Sequence, residues 1–274
     1  MKIDLHTHTT RSDGNTPPRE LVRLAREAGI GVLAVTDHDT AEAIEECLDE
    51  GARRGVRVLP GIELSSRFEG KDVHVLGYGF DPAAPALRER LEDLHRRRRE
   101  RVTRICARLA ELGVALEPQE VLREAGGKSV GRRHVARALV RKGAVGSLEE
   151  AFGRYLGADS PAYVPAHEMT PREARDLVHA HGGLAVLAHP GFLEDDALVE
   201  RLLDEARFDG IEVFHRYDSA TRHRTYLEMA HRRNLLVTGG SDFHGDRHPR
   251  NAALGEMTCP REHWKAFEKR LRAQ

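Results

Sequence analysis

At 274 residues the chain can build one large domain or two modest ones, and 40% apolar against 32% charged residues is an ordinary globular balance. No apolar run approaches the roughly eighteen residues of a membrane span, the N-terminus MKIDLHTHTTRSDG lacks a signal-peptide core, and three scattered cysteines (Cys47, Cys106, Cys259) support neither a disulfide framework nor a zinc ribbon, so a cytoplasmic protein with buried structural thiols is expected. The net charge of −1 conceals a division: Pro82 to Ala166 carries 17 Lys and Arg against 11 Asp and Glu, whereas the remainder carries 26 against 33, so the acidic part could hold cations and the basic part could face an anion.

Short β-type runs alternate with amphipathic helices. Strand Ile3–Thr9 precedes a helix from about Pro17 to Gly29. Strand Val32–Asp39 precedes a helix from about Ala41 to Arg54. Strands Val56–Leu64 and Asp72–Gly79 follow with only a short turn at Glu69-Gly70 between them. From residue 82 to 166 the pattern breaks into helices alone: Leu87–Leu112, Pro118–Ala125, Arg132–Lys142 and Leu148–Leu156. Alternation then resumes with helix Pro171–His181 and strand Leu184–His189, helix Asp195–Ala206 and strand Gly210–His215, helix Ala220–Asn234 and strand Leu235–Asp242, and a last helix near Glu262–Leu271. Seven strands with intervening helices predict a mostly parallel α/β fold, naturally a closed barrel, formed by 1–81 and 167–274 with 82–166 as an inserted helical subdomain.

The strands end in chemistry. Asp4, His6 and His8 alternate with Ile3, Leu5 and Thr7, and strand period two puts the polar three on one face. Asp13 lies in the next loop. Strand two ends Thr36-Asp37-His38-Asp39, strand three Gly61-Ile62-Glu63, strand five Ala188-His189-Pro190, and strand seven Ser241-Asp242-Phe243-His244; strand four carries His74. In a barrel such ends converge on one mouth, and burying so many ionisable groups without compensation would be costly. Divalent cations resolve this, because imidazole and carboxylate are their natural ligands. A lone His-x-His or a lone Asp after a strand would usually be structural; the joint placement is what argues for a site. His215 ends strand six and is a candidate substrate contact. His95, His231, His248 and His263 lie among basic residues and are expected in solvent, as are Arg96–Arg99, while His167, His179 and His181 are expected at the surface or at helix ends.

The segments DLHTHTTRSDG, AVTDHDT, PGIELSS, HVLGYG, LAHPG and GGSDFHG, in this order, closely resemble the polymerase-and-histidinol-phosphatase (PHP) family, over residues 3 to about 245. GRRHVARALV and AYVPAHEMTP further resemble the branch containing nucleoside 3′,5′-bisphosphate phosphatases, also described as 5′→3′ exoribonucleases. The resemblance implies a distorted (β/α)7 barrel and three divalent metals, with Mn²⁺ favoured over Zn²⁺ or Fe²⁺. His6, His8, Glu63 and Asp242 would bind the first; Glu63 would bridge to a second held by His74 and His189; Asp13, His38 and His244 would hold the third. Many relatives carry His where this chain has Asp13. Asp37 would support ligands rather than be one, and Glu63, Asp242 and His189 would also serve catalysis. A water with its pKa lowered to about 7 would attack phosphorus in line.

Arg132, Arg133 and His134 open a helix after Ser129-Val130-Gly131, and Arg133 and His134 are expected to contact a second phosphate. The expected partner is a phosphorylated small molecule or short oligonucleotide, with no membrane and no obligate protein partner. Two other readings stand beside this: a small-molecule phosphatase of the histidinol-phosphate type, and a non-catalytic metal-bound module that binds nucleic acid.

Overall fold

A computed structural model describes residues 1–125, 130–165, 169–216, 218–245 and 253–274. Ser129, His167 and His248, and part of AYVPAHEMTP, lie outside them. Alpha-carbon contacts divide the chain into two compact units, Met1–Arg88 with Glu168–Gln274, and Glu89–His167. Among the described residues no helix is long and apolar enough to cross a membrane.

In chain order the first unit contains β1 (Lys2–Asp4), α1 (Pro18–Glu27), β2 (Ile30–Val35), α2 (Ile44–Arg54), β3 (Arg57–Phe68) and β4 (Lys71–Tyr78). The long helix α3 (Pro85–Glu111) then runs into the second unit, which continues with α4 (Pro118–Ala125), α5 (Arg132–Arg141) and α6 (Leu148–Ala151), the last extended by a π-helical turn over Phe152–Leu156. The first unit resumes with α7 (Pro171–His179), β5 (Leu184–Leu187), a 3₁₀ turn (Pro190–Leu193), α8 (Asp196–Ala206), β6 (Gly210–His215), α9 (Ala220–Arg233), β7 (Leu236–Gly240) and α10 (Arg261–Leu271).

The seven strands form one sheet in sequence order. All neighbouring pairs are parallel except β3–β4 and β4–β5, so β4 alone runs against the rest. The cause is the Glu69-Gly70 turn: a parallel crossover needs a dozen or more residues, and two allow only a hairpin. The sheet is a nearly closed barrel. Beyond β1 the backbone stays extended, with Leu5 N–H donating to Gly239 O (3.3 Å), His8 N–H to Phe243 O (2.8 Å), and Thr7 bridging Phe243 in parallel. Strand Ile3–Thr9 of the sequence reading is thus a three-residue strand plus a closing seam. Gly240 permits that seam, because a Cβ there would lie 2.4 Å from His6 N.

Both faces of the strands are apolar, as a helix-wrapped sheet requires. In β2, Val32 and Ala34 join Ile3, Leu5, Leu59, Tyr78, Leu184, Val186, Trp264 and Phe267 in one cluster, while Leu33 and Val35 pack with Leu21, Val22 and Cys47 of α1 and α2 in another. The first cluster draws on the starts of the parallel strands and the end of β4. With Trp264 and Phe267, α10 therefore plugs the barrel end opposite the parallel strands' C-termini.

The second unit has its own core of Val102, Ile105, Leu109, Val121, Val135, Leu139 and Leu156. His95, expected in solvent, is buried. It stands four residues after Leu91 and seven before Val102, on the buried stripe of α3 rather than with its arginines. Of those arginines, Arg96 and Arg97 share the single carboxylate of Asp93, and Arg98 donates to Val130 O. All three cysteines are buried thiols.

Candidate metal centre

The polar residues gather at the rim where the parallel strands end. His6 and His8 flank Thr7, whose hydroxyl turns away to donate to Ala34 O (2.6 Å). His38, beyond β2, bridges Glu63 of β3. His74 is the fourth residue of β4, and only because β4 is reversed does its beginning reach the same rim. His189 follows β5, and Asp242 and His244 follow β7. Asp39, His189 and Asp242 all have positive φ (53°, 24° and 52°). Non-glycine residues in such conformations cost on the order of 1–3 kcal/mol each, and surrounding structure must hold them there. Asp39 N–H donates to Glu63 O (2.9 Å), and His189 N–H to Glu212 Oε2 (2.8 Å).

Three groups of potential ligand atoms result. In the first, His6 Nε2 lies 3.3 Å from Glu63 Oε2 and 3.4 Å from Asp242 Oδ1, and His8 Nε2 lies 3.2 Å from each. Donors at about 2.0–2.1 Å around one tetrahedral cation are about 3.3–3.4 Å apart, so these separations suit an ion at their centre. In the second, Glu63 Oε1 lies 2.7 Å from His74 Nδ1 and 2.9 Å from His189 Nε2, which are 3.3 Å from each other. Glu63 therefore turns one oxygen to each group, and its Oε2 also lies 3.2 Å from His38 Nδ1, so His38 stands as close to Glu63 and His74 as to the third group. In the third, Asp13 Oδ1 lies 3.2 Å from His244 Nε2, 3.9 Å from His8 Nδ1 and 4.0 Å from His38 Nε2.

The electrostatics of the centre call for cations. His6 Nε2, both ring nitrogens of His8, His38 Nδ1 and Glu63 Oε2 are buried and hydrogen-bond to nothing. A buried polar atom left so costs about 1–3 kcal/mol. Burial alone would push the carboxyls of Asp13, Glu63 and Asp242 up. The surrounding imidazoles outweigh it and hold all three well below the ordinary range: His244 and His38 at Asp13, His38 and His74 at Glu63, His244 and His6 at Asp242. Burial drives His38 and His189 down, to about 3 and about 4. At His8 burial acts the same way but is overcome by Asp242, Glu63 and Asp13, which raise it to about 10. Three buried carboxylates attract positive charge, and the donor set of imidazole and carboxylate fits divalent metal ions.

Other residues hold the ligand atoms in place. Asp37 is outside the three groups; it accepts from Thr9 N–H and Thr9 Oγ1 (2.7 Å each) and Ser12 Oγ (2.5 Å), fixing the loop after His8. Asp4, expected to share a face with His6 and His8, instead accepts from Ser241 N–H (2.9 Å), Ser241 Oγ (2.7 Å) and Gly255 N–H (3.0 Å), tying β1 to the segment after β7. His215 is buried, with Nε2 3.6 Å from Asp242 Oδ2.

The sequence reading passed over Glu212. It is fully buried, 3.0 Å from His6 Nδ1 and bonded to the His189 backbone. Its signal was a lone carboxylate inside the apolar run Ile211-Glu212-Val213-Phe214. Between Glu212 and Phe214 the β6–β7 register slips by one residue, so Glu212 and His215, three apart, both face inward.

In the second unit His134 is buried, and its Nδ1 accepts from Gly131 N–H (3.1 Å) at the start of α5. Arg132 stacks over the Tyr163 and Phe152 rings.

Residues 4–126 match the PHP domain. Over 248 residues the chain is 37% identical to the 5′-3′ exoribonuclease Rnm of Salmonella typhimurium, covering 88% of this chain and 84% of that protein. It is 35% identical over 247 residues to a 3′,5′-nucleoside bisphosphate phosphatase of Chromobacterium violaceum, covering 88% and 87%. A crystal structure from Bifidobacterium adolescentis, described as that of a metal-dependent phosphoesterase, superposes with a TM-score of 0.84 at 31% identity, over 97% of this chain and 95% of the other. With a seven-stranded barrel carrying six histidines and three carboxylates at one rim, and with this extent of likeness, the chain belongs to the PHP domain family.

Proposed function

We propose that the chain is a divalent-metal-dependent phosphoesterase whose substrates are nucleoside 3′,5′-bisphosphates and short 5′-phosphorylated oligonucleotides. The observation that carries this reading is the convergence on Glu63: one oxygen meets His6 and His8 while the other meets His74 and His189. Such a carboxylate suits two adjacent cations, and paired cations are a recurrent arrangement for phosphoester hydrolysis. His6, His8, Glu63 and Asp242 would hold one ion, Glu63, His74 and His189 a second, and Asp13, His38 and His244 a third; a set of nitrogen and oxygen donors suits Mn²⁺, Zn²⁺ and Fe²⁺ alike, and Mn²⁺ is the ion proposed. When bound, the cations supply a lowered water pKa and neutralise charge developing on the phosphoryl oxygens.

The protein's own groups do the positioning. The Glu212 carboxylate accepts a hydrogen bond from Nδ1–H of His6, and the tautomer it favours leaves the Nε2 lone pair facing Glu63 and Asp242. His215 steadies the outer oxygen of Asp242. Glu63, Asp242 and His189 are nearest the reacting phosphate in this reading. Three carboxylates against three divalent ions leave a net charge of about +3, which suits a phosphate dianion. Two of the similar proteins are named for nucleotide or RNA substrates, and the nucleotide substrates are proposed on that likeness. A second phosphate is assigned to Arg133 and His134.

Protein loaded separately with Mn²⁺, Zn²⁺ and Fe²⁺ should release inorganic phosphate from adenosine 3′,5′-bisphosphate faster than from histidinol phosphate. No release from any phosphoester with any of the three ions would overturn the reading. Faster turnover of histidinol phosphate would leave a phosphatase but replace the substrate.

A further inference from the structure

Phe192 sits three residues after His189, in the 3₁₀ turn Pro190–Leu193. Pro190, Gly191 and Leu193 are buried, whereas Phe192 is 43% exposed. Met1, Leu48 and Leu112 are the other exposed large hydrophobics among the described residues, so Phe192 is the one aromatic ring of that group. Its centroid lies 4.8 Å from that of His189 and 5.2 Å from that of His215. One imidazole therefore separates a partly exposed aromatic ring from Glu63, to which His189 Nε2 approaches within 2.9 Å.

The backbone of the turn that carries the ring is tied down. Phe192 N–H donates to His189 O (3.1 Å), and Arg222 Nη1 donates to Gly191 O (2.6 Å). Gly191 is pressed so close to Asp218 that a Cβ there would lie 1.7 Å from Asp218 Oδ1. Three contacts thus fix a turn whose visible product is one apolar surface beside a cluster of charged groups. Water solvates such a ring poorly, and a flat π-system offers it both burial and stacking.

We infer that Phe192 is the platform on which the substrate's nucleobase stacks, so that the centre favours phosphate esters of nucleosides over those of sugars or aliphatic alcohols. The inference rests on the phosphoesterase reading above and names the determinant of its substrate class. It makes Phe192 a specificity residue, and it places the ester so that phosphate, ribose and base run outward from Glu63 past His189 to the ring. Because stacking holds ground state and transition state alike, its loss should raise KM more than it lowers kcat.

The test compares adenosine 3′,5′-bisphosphate with the 3,5-bisphosphate of 1-deoxyribose, which has no base, on Mn²⁺-loaded protein. The wild type should prefer the base-bearing compound by about tenfold in kcat/KM, the range that base–aromatic stacking supports. Phe192→Ala should abolish most of that preference and Phe192→Trp should keep it. An unchanged ratio in Phe192→Ala overturns the inference while leaving the phosphoesterase intact. A second readout does not need turnover: in Phe192→Trp, adenosine bisphosphate added without metal should quench the new indole, while the base-free compound should not. The native Trp264 is buried under the barrel and serves as the unresponsive background. Equal response to both ligands, or to neither, overturns the stacking. Wild-type inactivity toward both bisphosphates alongside base-specific quenching would instead remove the hydrolytic reading and keep the platform.

Discussion

Glu212 shows how much of a metal centre can reside in a residue that touches no metal. Its two oxygens serve two different ligands, the imidazole of His6 and the backbone of His189, the latter in a left-handed conformation that needs an external hold. Removing a carboxylate that orients a ligating imidazole typically weakens metal binding 10- to 100-fold. Glu212→Ala should therefore lower divalent-ion affinity by about that factor, measured by isothermal titration of the metal-stripped protein, with far-ultraviolet circular dichroism unchanged. Full affinity in that variant would mean His6 is positioned by packing alone. Eight of the nine polar residues that meet at the rim are legible because each stands in or just after an apolar run; Asp13 lies in a loop, and only the family resemblance marks it. Glu212 was not singled out, because strict alternation from His215 puts it on the opposite face, and only the extra residue in β6 returns it to the interior. Asp4 erred the other way: alternation placed it with His6 and His8, but at the closing seam its partners are Ser241 and Gly255 across the barrel.

Among the elements, the order of strands and helices could be read almost directly, since each connection is short and each helix carries one apolar stripe. The reversal of β4 follows from a two-residue turn, and it explains why His74 lies in the first half of its strand while His6, His8, His38, His189, Asp242 and His244 follow the ends of theirs. What the sequence could not display is closure, which depends on β1 and β7 approaching closely at opposite ends of the unit. Gly240 carries that approach. Gly240→Ala would set a methyl group 2.4 Å from His6 N, and the seam must open to admit it. Overpacking of this kind costs about 1–3 kcal/mol. Urea denaturation should show that loss, and metal content after dialysis should fall with it because His6 moves. Gly29→Ala, where nothing lies within 4 Å of the new Cβ, should carry only the strain of its positive φ and keep its metal. At α5 the expectation is separable by substrate: Arg133→Ala should reduce kcat/KM about tenfold more for nucleoside bisphosphates than for monophosphates, one charged hydrogen bond's worth. Equal loss on both would assign Arg133 to the helix and not to a phosphate.

For the whole molecule, the barrel is assembled around a deficit of positive charge that bound ions would meet. Nine residues spread from His6 to His244 meet at the rim, so ions held there would link β3 and β4 with the segments that follow β1, β2, β5 and β7. A ligand that binds only the folded state stabilises it by about 4 kcal/mol when present at a thousand times its dissociation constant. For a chain of this length each kcal/mol moves the melting temperature by roughly 2–4 °C. Scanning calorimetry should thus place the Mn²⁺-loaded protein about 10 °C above the chelated one. Chelated Glu63→Gln separates this from a general salt effect. The variant keeps the shape of the side chain but removes the carboxylate that His6, His8, His74 and His189 all face, and taking one partner out of a buried set of opposite charges costs about 3–5 kcal/mol. It should melt below the chelated wild type and gain little from Mn²⁺, so that the gap between the two proteins widens when the ion is added. If both rise equally with Mn²⁺, the ions act elsewhere on the protein and Glu63 is not the bridge between them.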